Sequence, residues 1–526
     1  MLPLKGAITR FREILMSTAI DLIIALLPIA ALFVGFLVFK LTAFKTSLYA
    51  WILELVVVLV YYRQPPLKVI EGSLWGLVTI WSGFLVLYTG QIFGQAYRST
   101  GLLAVLLESV GSIVPAHDKE AKALALVVVI GGFIGAFNGF AVYPVAIPGL
   151  VALGFDSVPA ITSFLVYFSW PQPFVSLFIV PNISNVATHV PVADIVRAAG
   201  FVAIPLVFVS LLGFLKLLGF RFFVRKTQFL FWSMGLSNTV ALILFTQLWP
   251  DYGILMLISG AAISLAVLYV YGRFSKMPTP DAPRAKTPIE KDSRTYSGAT
   301  QFSAYAPLLI GVVIVLFSTV PAIKEVLQHL SFKVSAWGYS AISINVFTSA
   351  GFFVFITALA CYPFRRERAN VAKDFYAATL RSRTSLSTLA VGSALVYLLV
   401  DTGQIQLLGG VLSSGGKLVY AMLSPTMEAL GGIAFGQGLP ADFLLASMQV
   451  PIAPALGIPL AVLVGIVTVM SEGPPNPLKP TQIAFTQSLA NVEGKDGEIF
   501  RTCLKWQVLA LVVATISAVA LVLISK

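Results

Sequence analysis

Two polar clusters interrupt an otherwise apolar chain, and their residue types limit what it can do. The first combines Asn138 and Gly139 with Ser169 and Gln172; the second combines Gln437 and Gly438 with Ser471, Asn476 and Gln482. Such amides, hydroxyls and glycines are candidates for binding a solute through directional hydrogen bonds. Glu472 and Asp442 lie in the second cluster, and an acid within a membrane domain is by default a functional candidate. Both are taken as coupling-ion sites. Glu472 falls inside a proline-dense break, whereas the counterpart Ser169-Trp170-Pro171 has no acid, so ion binding is expected to be asymmetric. Lys479, on the same element, is expected to snorkel to the interface. Asp21 and Asp401 stand near span ends, and Glu54 and Glu428 are expected to pair with neighbouring polar groups. His117, His189 and His329 have no metal-ligand spacing and no nucleophile beside them. Gly415-Gly416-Lys417 lacks the spacing and hydroxyl of a nucleotide-binding loop. No enzyme activity, metal or cofactor is expected.

The elements that position these residues are broken helices. Gly131, Gly132, Gly135 and Gly139 crowd one segment, followed by Pro144 and Pro148; Gly431, Gly432, Gly436 and Gly438 crowd another, followed by Pro440, Pro451 and Pro454. One glycine costs a helix about 1 kcal/mol, so this density predicts a turn near Asn138-Gly139 and another near Gln437-Gly438. Around Ser169 and Ser471 the prolines remove backbone donors and disfavour helical geometry in the preceding residues. Broken backbone at membrane depth survives only where protein or a water-filled cavity satisfies it. Four helix ends meeting there offer free N–H groups and positive dipole ends, which suits a small anion.

With 58% hydrophobic residues and 11% charged, the 526-residue chain belongs in lipid rather than water. Apolar runs at about 18–39, 199–219, 228–248, 251–271, 305–323, 341–361, 384–402 and 506–524 approach the roughly 20 residues a spanning helix needs. Shorter or broken runs lie near 48–62, 73–93, 123–154, 158–181, 418–456 and 458–470, giving about 12 to 14 membrane segments. The fold class is therefore an all-α polytopic membrane protein, multi-pass in the cell membrane, its first apolar run retained as a helix. The formal charge of +12 arises in short loops such as Lys216 to Lys226 and Arg365 to Arg383, a positive-inside pattern that marks them cytoplasmic and removes any need for a nucleic-acid partner. Cys361 and Cys503 read as buried thiols.

Thr89-Gly90-Gln91-Ile92 recurs as Thr402-Gly403-Gln404-Ile405, and the two glycine segments and two proline breaks follow in the same order at offsets of roughly 300 residues. Residues 1–272 and 305–526 are thus expected to be two membrane repeats, joined by a Pro- and charge-rich cytoplasmic linker, 273–304. Each repeat should carry one hairpin and one broken helix. The charged segment 362–383 is expected to be a determinant of topology with no binding role.

At these segments the chain resembles the lactate permease family, transporters of lactate, glycolate and related 2-hydroxy acids coupled to protons. The resemblance covers essentially the whole length. It is most specific in Gly135-Ala136-Phe137 through Pro144-Val145-Ala146-Ile147, in Leu153-Gly154-Phe155, in Thr89-Gly90-Gln91 and in Pro480-Thr481-Gln482-Ile483-Ala484. It implies inverted repeats with two re-entrant hairpins, an elevator-type mechanism and a homodimer. The chain departs from the family at the site. Gly135-Ala136-Phe137-Asn138-Gly139 has no acid where the family carries a glutamate, Gly436-Gln437-Gly438-Leu439-Pro440-Ala441-Asp442 replaces Gly-Ser-Asp-Thr-Ser-Ser-Asn, and Asn476-Pro477-Leu478-Lys479-Pro480-Thr481-Gln482 replaces Gly-Lys-Met-Ile-Ser-Pro-Gln-Ser, so the lysine is absent from its usual place. The expected function is symport of a 2-hydroxy monocarboxylate with protons, with sodium as the other coupling ion considered. The alternatives are a cation/proton exchanger on the same scaffold and an enzyme acting on a lipid-linked substrate.

Overall fold

The computed structural model of the protein describes residues 20–39, 41–115, 117–274, 298–339, 341–435 and 438–525. It is a helical bundle throughout, apart from one short strand pair. Among the described residues, 10 helices are long and apolar enough to cross a membrane, or up to 12 if each bent pair is one span. Most of the core is aliphatic and aromatic. The outer helices keep apolar residues such as Val508, Val512, Ile516 and Leu523 exposed, as a surface facing lipid requires.

The chain opens with α1 (Ile20–Phe33) and α2 (Ala43–Tyr61), then α3 (Pro66–Thr79) and α4 (Trp81–Ser99), which meet at a 50° bend. Gly101 turns the chain through the left-handed region (φ 75°) into the ten-residue α5 (Leu102–Gly111). A hairpin follows, α6 (Lys119–Phe137) and α7 (Gly139–Ala152), then α8 (Ser157–Phe168), a break, α9 (Val175–Thr188) and α10 (Val192–Leu217). After α11 (Arg225–Leu248), α12 (Pro250–Phe274), α13 (Gly298–Thr319) and α14 (Pro321–His329), β1 (Phe332–Val334) pairs antiparallel with β2 (Ile342–Ile344). Next come α15 (Ala350–Ala360) and α16 (Val371–Asp401). Gly403, also left-handed (φ 77°), opens the ten-residue α17 (Gln404–Ser413). A second hairpin, α18 (Lys417–Phe435) and α19 (Gly438–Leu456), precedes α20 (Leu460–Glu472), a break, α21 (Pro480–Leu489) and α22 (Asp496–Ile524).

From α4 to α10 and again from α16 to α22 the same order of elements occurs. The structural equivalent of Thr402-Gly403 is nevertheless Thr100-Gly101: the sequence match Thr89-Gly90-Gln91-Ile92 lies inside unbroken helix. A left-handed glycine is what the backbone requires at both points, and the side-chain identities beside it are secondary. The hairpins are antiparallel about their tips. A Cβ on Gly149 would touch Leu126, one on Gly131 Val142, and one on Gly431 Leu445. α3 and α4 also run antiparallel to α16. Gly76 faces Ser393, Gly83 faces Leu389, and Tyr88 and Thr379 hydroxyls lie 3.0 Å apart, so numbers rise on one side as they fall on the other.

Three sequence expectations change. In the run 341–361 the α-helix is confined to α15, because β2 and a 3-10 turn at Val346–Thr348 precede it. That strand pair carries Tyr339 onto Trp75, stacked at 5.6 Å. The run 384–402 is the second part of a longer helix that begins at Val371, so the charged segment supplies its first turns; Asn370 caps it by accepting from the Lys373 N–H. The linker's ends are helical, as α12 reaches Phe274 and α13 begins at Gly298; its remaining residues lie outside those described. The buried, free thiols of Cys361 and Cys503 are as expected.

Candidate functional site

The two hairpin tips and the two helix breaks converge on one cavity of about 650 Å³. At the first tip Asn138 is extended, ending α6 and capping α7. Its Oδ1 accepts from the Phe140 N–H at 3.0 Å, and its Nδ2 donates to the Gly90 carbonyl on α4. Gly139 follows because nothing larger fits: a Cβ there would lie 2.6 Å from Val175. Its N–H donates to Ser176 Oγ at 3.1 Å. Ser176, Leu177 and Phe178 form a left-handed turn (φ 55°, 52° and 62°), a conformation that costs about 1–2 kcal/mol per residue and is held by this packing. At the second tip Gly438 leaves room for a carboxylate, since a Cβ there would sit 1.4 Å from Glu472 Oε1. The breaks touch one another, with Gly473 against the Ser169 carbonyl.

Of the residues singled out in the sequence, Asn138, Gly139, Gln172, Gly438, Glu472 and Gln482 line the cavity. The Oε1 atoms of Gln172 and Gln482 are buried without a hydrogen-bond partner. The others stand behind the wall and hold it. Ser169 donates to the Val166 carbonyl at 2.8 Å and lies 3.2 Å from the Ser210 hydroxyl; Asn476 donates to Tyr143 Oη at 2.9 Å. Asp442, fully buried, accepts from Ser184 at 2.6 Å and from Ser471 at 3.2 Å. Gln437 lies outside the described residues.

Lys479 does not snorkel. Its side chain is 1% exposed, and its Nζ donates to Glu472 Oε2 at 2.9 Å, which closes the second break from within. An acid already placed in the wall gave the ammonium a shorter route to a counter-charge than the interface did. Glu54 pairs as expected, accepting from Gln404 at 2.6 Å, whereas Glu428 Oε2 is buried without a partner.

The sequence reading missed the other wall. Gln91, Gln95 and Arg98 on α4 and Arg381, Thr384, Ser385 and Thr388 on α16 all face the cavity. Arg381 donates to Gln95 Oε1 at 2.7 Å, and Gln95 donates in turn to Asp374, a carboxylate also held by Ser99 and Tyr362. The signal was present: Thr388 lies one helical turn beyond both Thr384 and Ser385, on a span that begins in a charged segment. Arg381 thus belongs to the charged segment and also borders the cavity. Arg98 lines the cavity from α4, and Arg381 lines it from within the basic segment 362–383. Among the described lining residues the charged ones are Arg98, Arg381, Lys479 and Glu472, three cations to one acid.

The chain matches the family model described as L-lactate permease over residues 21–525. No curated protein matches it. Among solved structures it is similar to the YdaH transporter of Alcanivorax borkumensis, at 14% identity and a TM-score of 0.45 over 84% of this chain and 86% of that one. It is also similar to MtrF of Neisseria gonorrhoeae, described within a class of antimetabolite efflux pumps, at 13% identity and a TM-score of 0.40 over 88% and 85% of the two chains.

Proposed function

Because this chain belongs to the L-lactate permease family, and is thus a multi-pass membrane transporter rather than an enzyme, we propose that it carries a small 2-hydroxy monocarboxylate in symport with protons. The observation that supports an anion is the charge of the cavity lining, with Arg98, Arg381 and Lys479 against Glu472 alone. Unpartnered Oε1 atoms on Gln172 and Gln482 are acceptors for the solute's hydroxyl; Asn138 and Gly139 shape the first tip, whose own N–H groups are already taken, and Gly438 brings the N-terminus of α19 to the cavity to face its carboxylate. Ser169, Ser471 and Asn476 act in this reading by fixing the breaks, and Gln437 is kept as a solute-binding candidate on its residue type alone. The recurrence of elements, with α4 antiparallel to α16, supports two inverted repeats within 1–272 and 305–526.

A second reading, cation/proton exchange, draws on Asp442. It is buried among the hydroxyls of Ser184, Ser471 and, through Ser184, Thr468, with Glu472 near enough to form the required acid pair. Purified protein in liposomes separates the two. Accumulation of labelled lactate driven by an inward proton gradient is the expected result; sodium-dependent proton flux without organic solute would replace symport with exchange.

A further inference from the structure

We propose that Lys479 is the cation that binds the solute carboxylate and that Glu472 releases it for this purpose only when protonated. The inference rests on the symport reading above and states how proton and anion become obligatorily linked. Lys479 and Glu472 are 1% and 7% exposed at the side chain, yet both border the cavity, and Glu472 is the ammonium's partner among the described residues. Burying two charges in protein costs several kcal/mol each, which a single contact recovers only with good geometry, and apolar replacements often serve stability as well. A pair kept at the wall of a solute cavity has another use. Glu472 Oε1 reaches to Gly438 on the second hairpin tip, so the carboxylate is wedged between tip and break.

The exchange of partners balances. A proton from the side of higher proton activity binds the Glu472 carboxylate, which becomes a neutral acid; the ammonium of Lys479 stays protonated and pairs with the carboxylate of the entering anion. On the other side the anion leaves, the proton departs, and the Lys479–Glu472 pair reforms. The empty pair is neutral, and so is the loaded site of ammonium, neutral acid and monoanion, so one proton crosses with one monoanion and no net charge is moved. The titratable and charged groups around Glu472 are Lys479 itself, Asp442 on α19, Tyr143 on α7 and, beyond Asp442, Glu428 on α18. Gln172 lines the same cavity from the first break without charge, and Arg98 and Arg381 line it from α4 and α16.

The test uses full-length protein in liposomes with labelled lactate. Wild type should accumulate lactate under a proton gradient, and an imposed membrane potential should leave the rate unchanged. Glu472→Gln should lose accumulation but keep lactate exchange, with a KM no longer dependent on pH. Lys479→Gln should raise KM for lactate by about 10- to 100-fold, the loss of a charged hydrogen bond, and Lys479→Arg should recover part of it. Glu472→Gln/Lys479→Gln has no unpaired buried charge, so it serves where Lys479→Gln does not fold, and it should show the same raised KM. A double variant with wild-type KM and accumulation would make the pair structural and overturn the proposal, as would an unchanged KM in Lys479→Gln. Wild type that accumulates no lactate would overturn the symport reading, and this inference with it; wild-type accumulation with insensitive variants overturns this inference alone.

Discussion

Asn138 shows how a single side chain can build a site without being its chemical centre. Both of its polar atoms are committed to backbone, one within its own hairpin and one on α4, so it clamps the tip to the opposite wall. Asn138→Ala removes a helix N-cap, worth about 0.5–2 kcal/mol, together with the tether to Gly90. Thermal unfolding in detergent should show that loss, and lactate uptake should fall with it. Unchanged stability with lost uptake would instead make the amide a direct ligand. Asn138 itself could be recognised in the sequence as a helix breaker among glycines, but its partner Gly90 lies 48 residues away, and nothing local announces that contact.

At the scale of elements, the wall opposite the tips depends on α3 and α4 lying directly on α16. Small residues permit the approach, as at Gly76, where a Cβ would come within 2.6 Å of the Ser393 carbonyl. Backbone cannot move aside as a flexible side chain can. Gly76→Val should therefore destabilise the protein by about 1–3 kcal/mol, the usual cost of overpacking. Gly410→Ala, on α17 where nothing lies within 4 Å, should be neutral or raise stability by up to about 1 kcal/mol. Thermal melts of the two variants side by side check the contrast; equal effects would mean that the α3–α16 contact loosens freely. Hairpins and breaks were legible because glycine and proline act locally on the backbone. The start of α16 at Val371 was not, because hydropathy counts Arg381 against a span, while an aqueous cavity lets the helix continue through it.

For the whole molecule, Asp118 ties three helices together beside the basic loop that carries Lys226, with Glu120 also on Lys226 at 3.3 Å. Asp118 caps α6 through the Ala121 N–H and accepts from Lys226 on α11 at 2.8 Å and from Tyr271 on α12 at 2.5 Å. Burial alone would raise its carboxyl, but the hydrogen bonds from Lys226, Tyr271 and Ala121 outweigh it and hold the group below its usual value. A depressed folded-state pKa contributes stability in full above the unfolded value, near 3.9 for aspartate, and that contribution fades as pH falls through the folded value. Melting temperature should thus drop on acidification below about pH 4, and Asp118→Asn should flatten that part of the profile while lowering stability at neutral pH. A profile unchanged by Asp118→Asn would place the acid sensitivity elsewhere.

The sequence by itself determined that this is an all-α multi-pass membrane protein, where its chain breaks, and that one acid of the second break has no counterpart in the first. Those properties follow from hydropathy summed over a span and from the backbone limits of glycine and proline, which act within a few residues. Only the tertiary structure decided which polar groups share water and which share protein. It paired Lys479 with Glu472, set Asp442 behind the wall, and brought Arg98 and Arg381 to one cavity from helices nearly 300 residues apart. Charges choose partners by distance through space, and that distance is fixed only once helices from distant parts of the chain have packed.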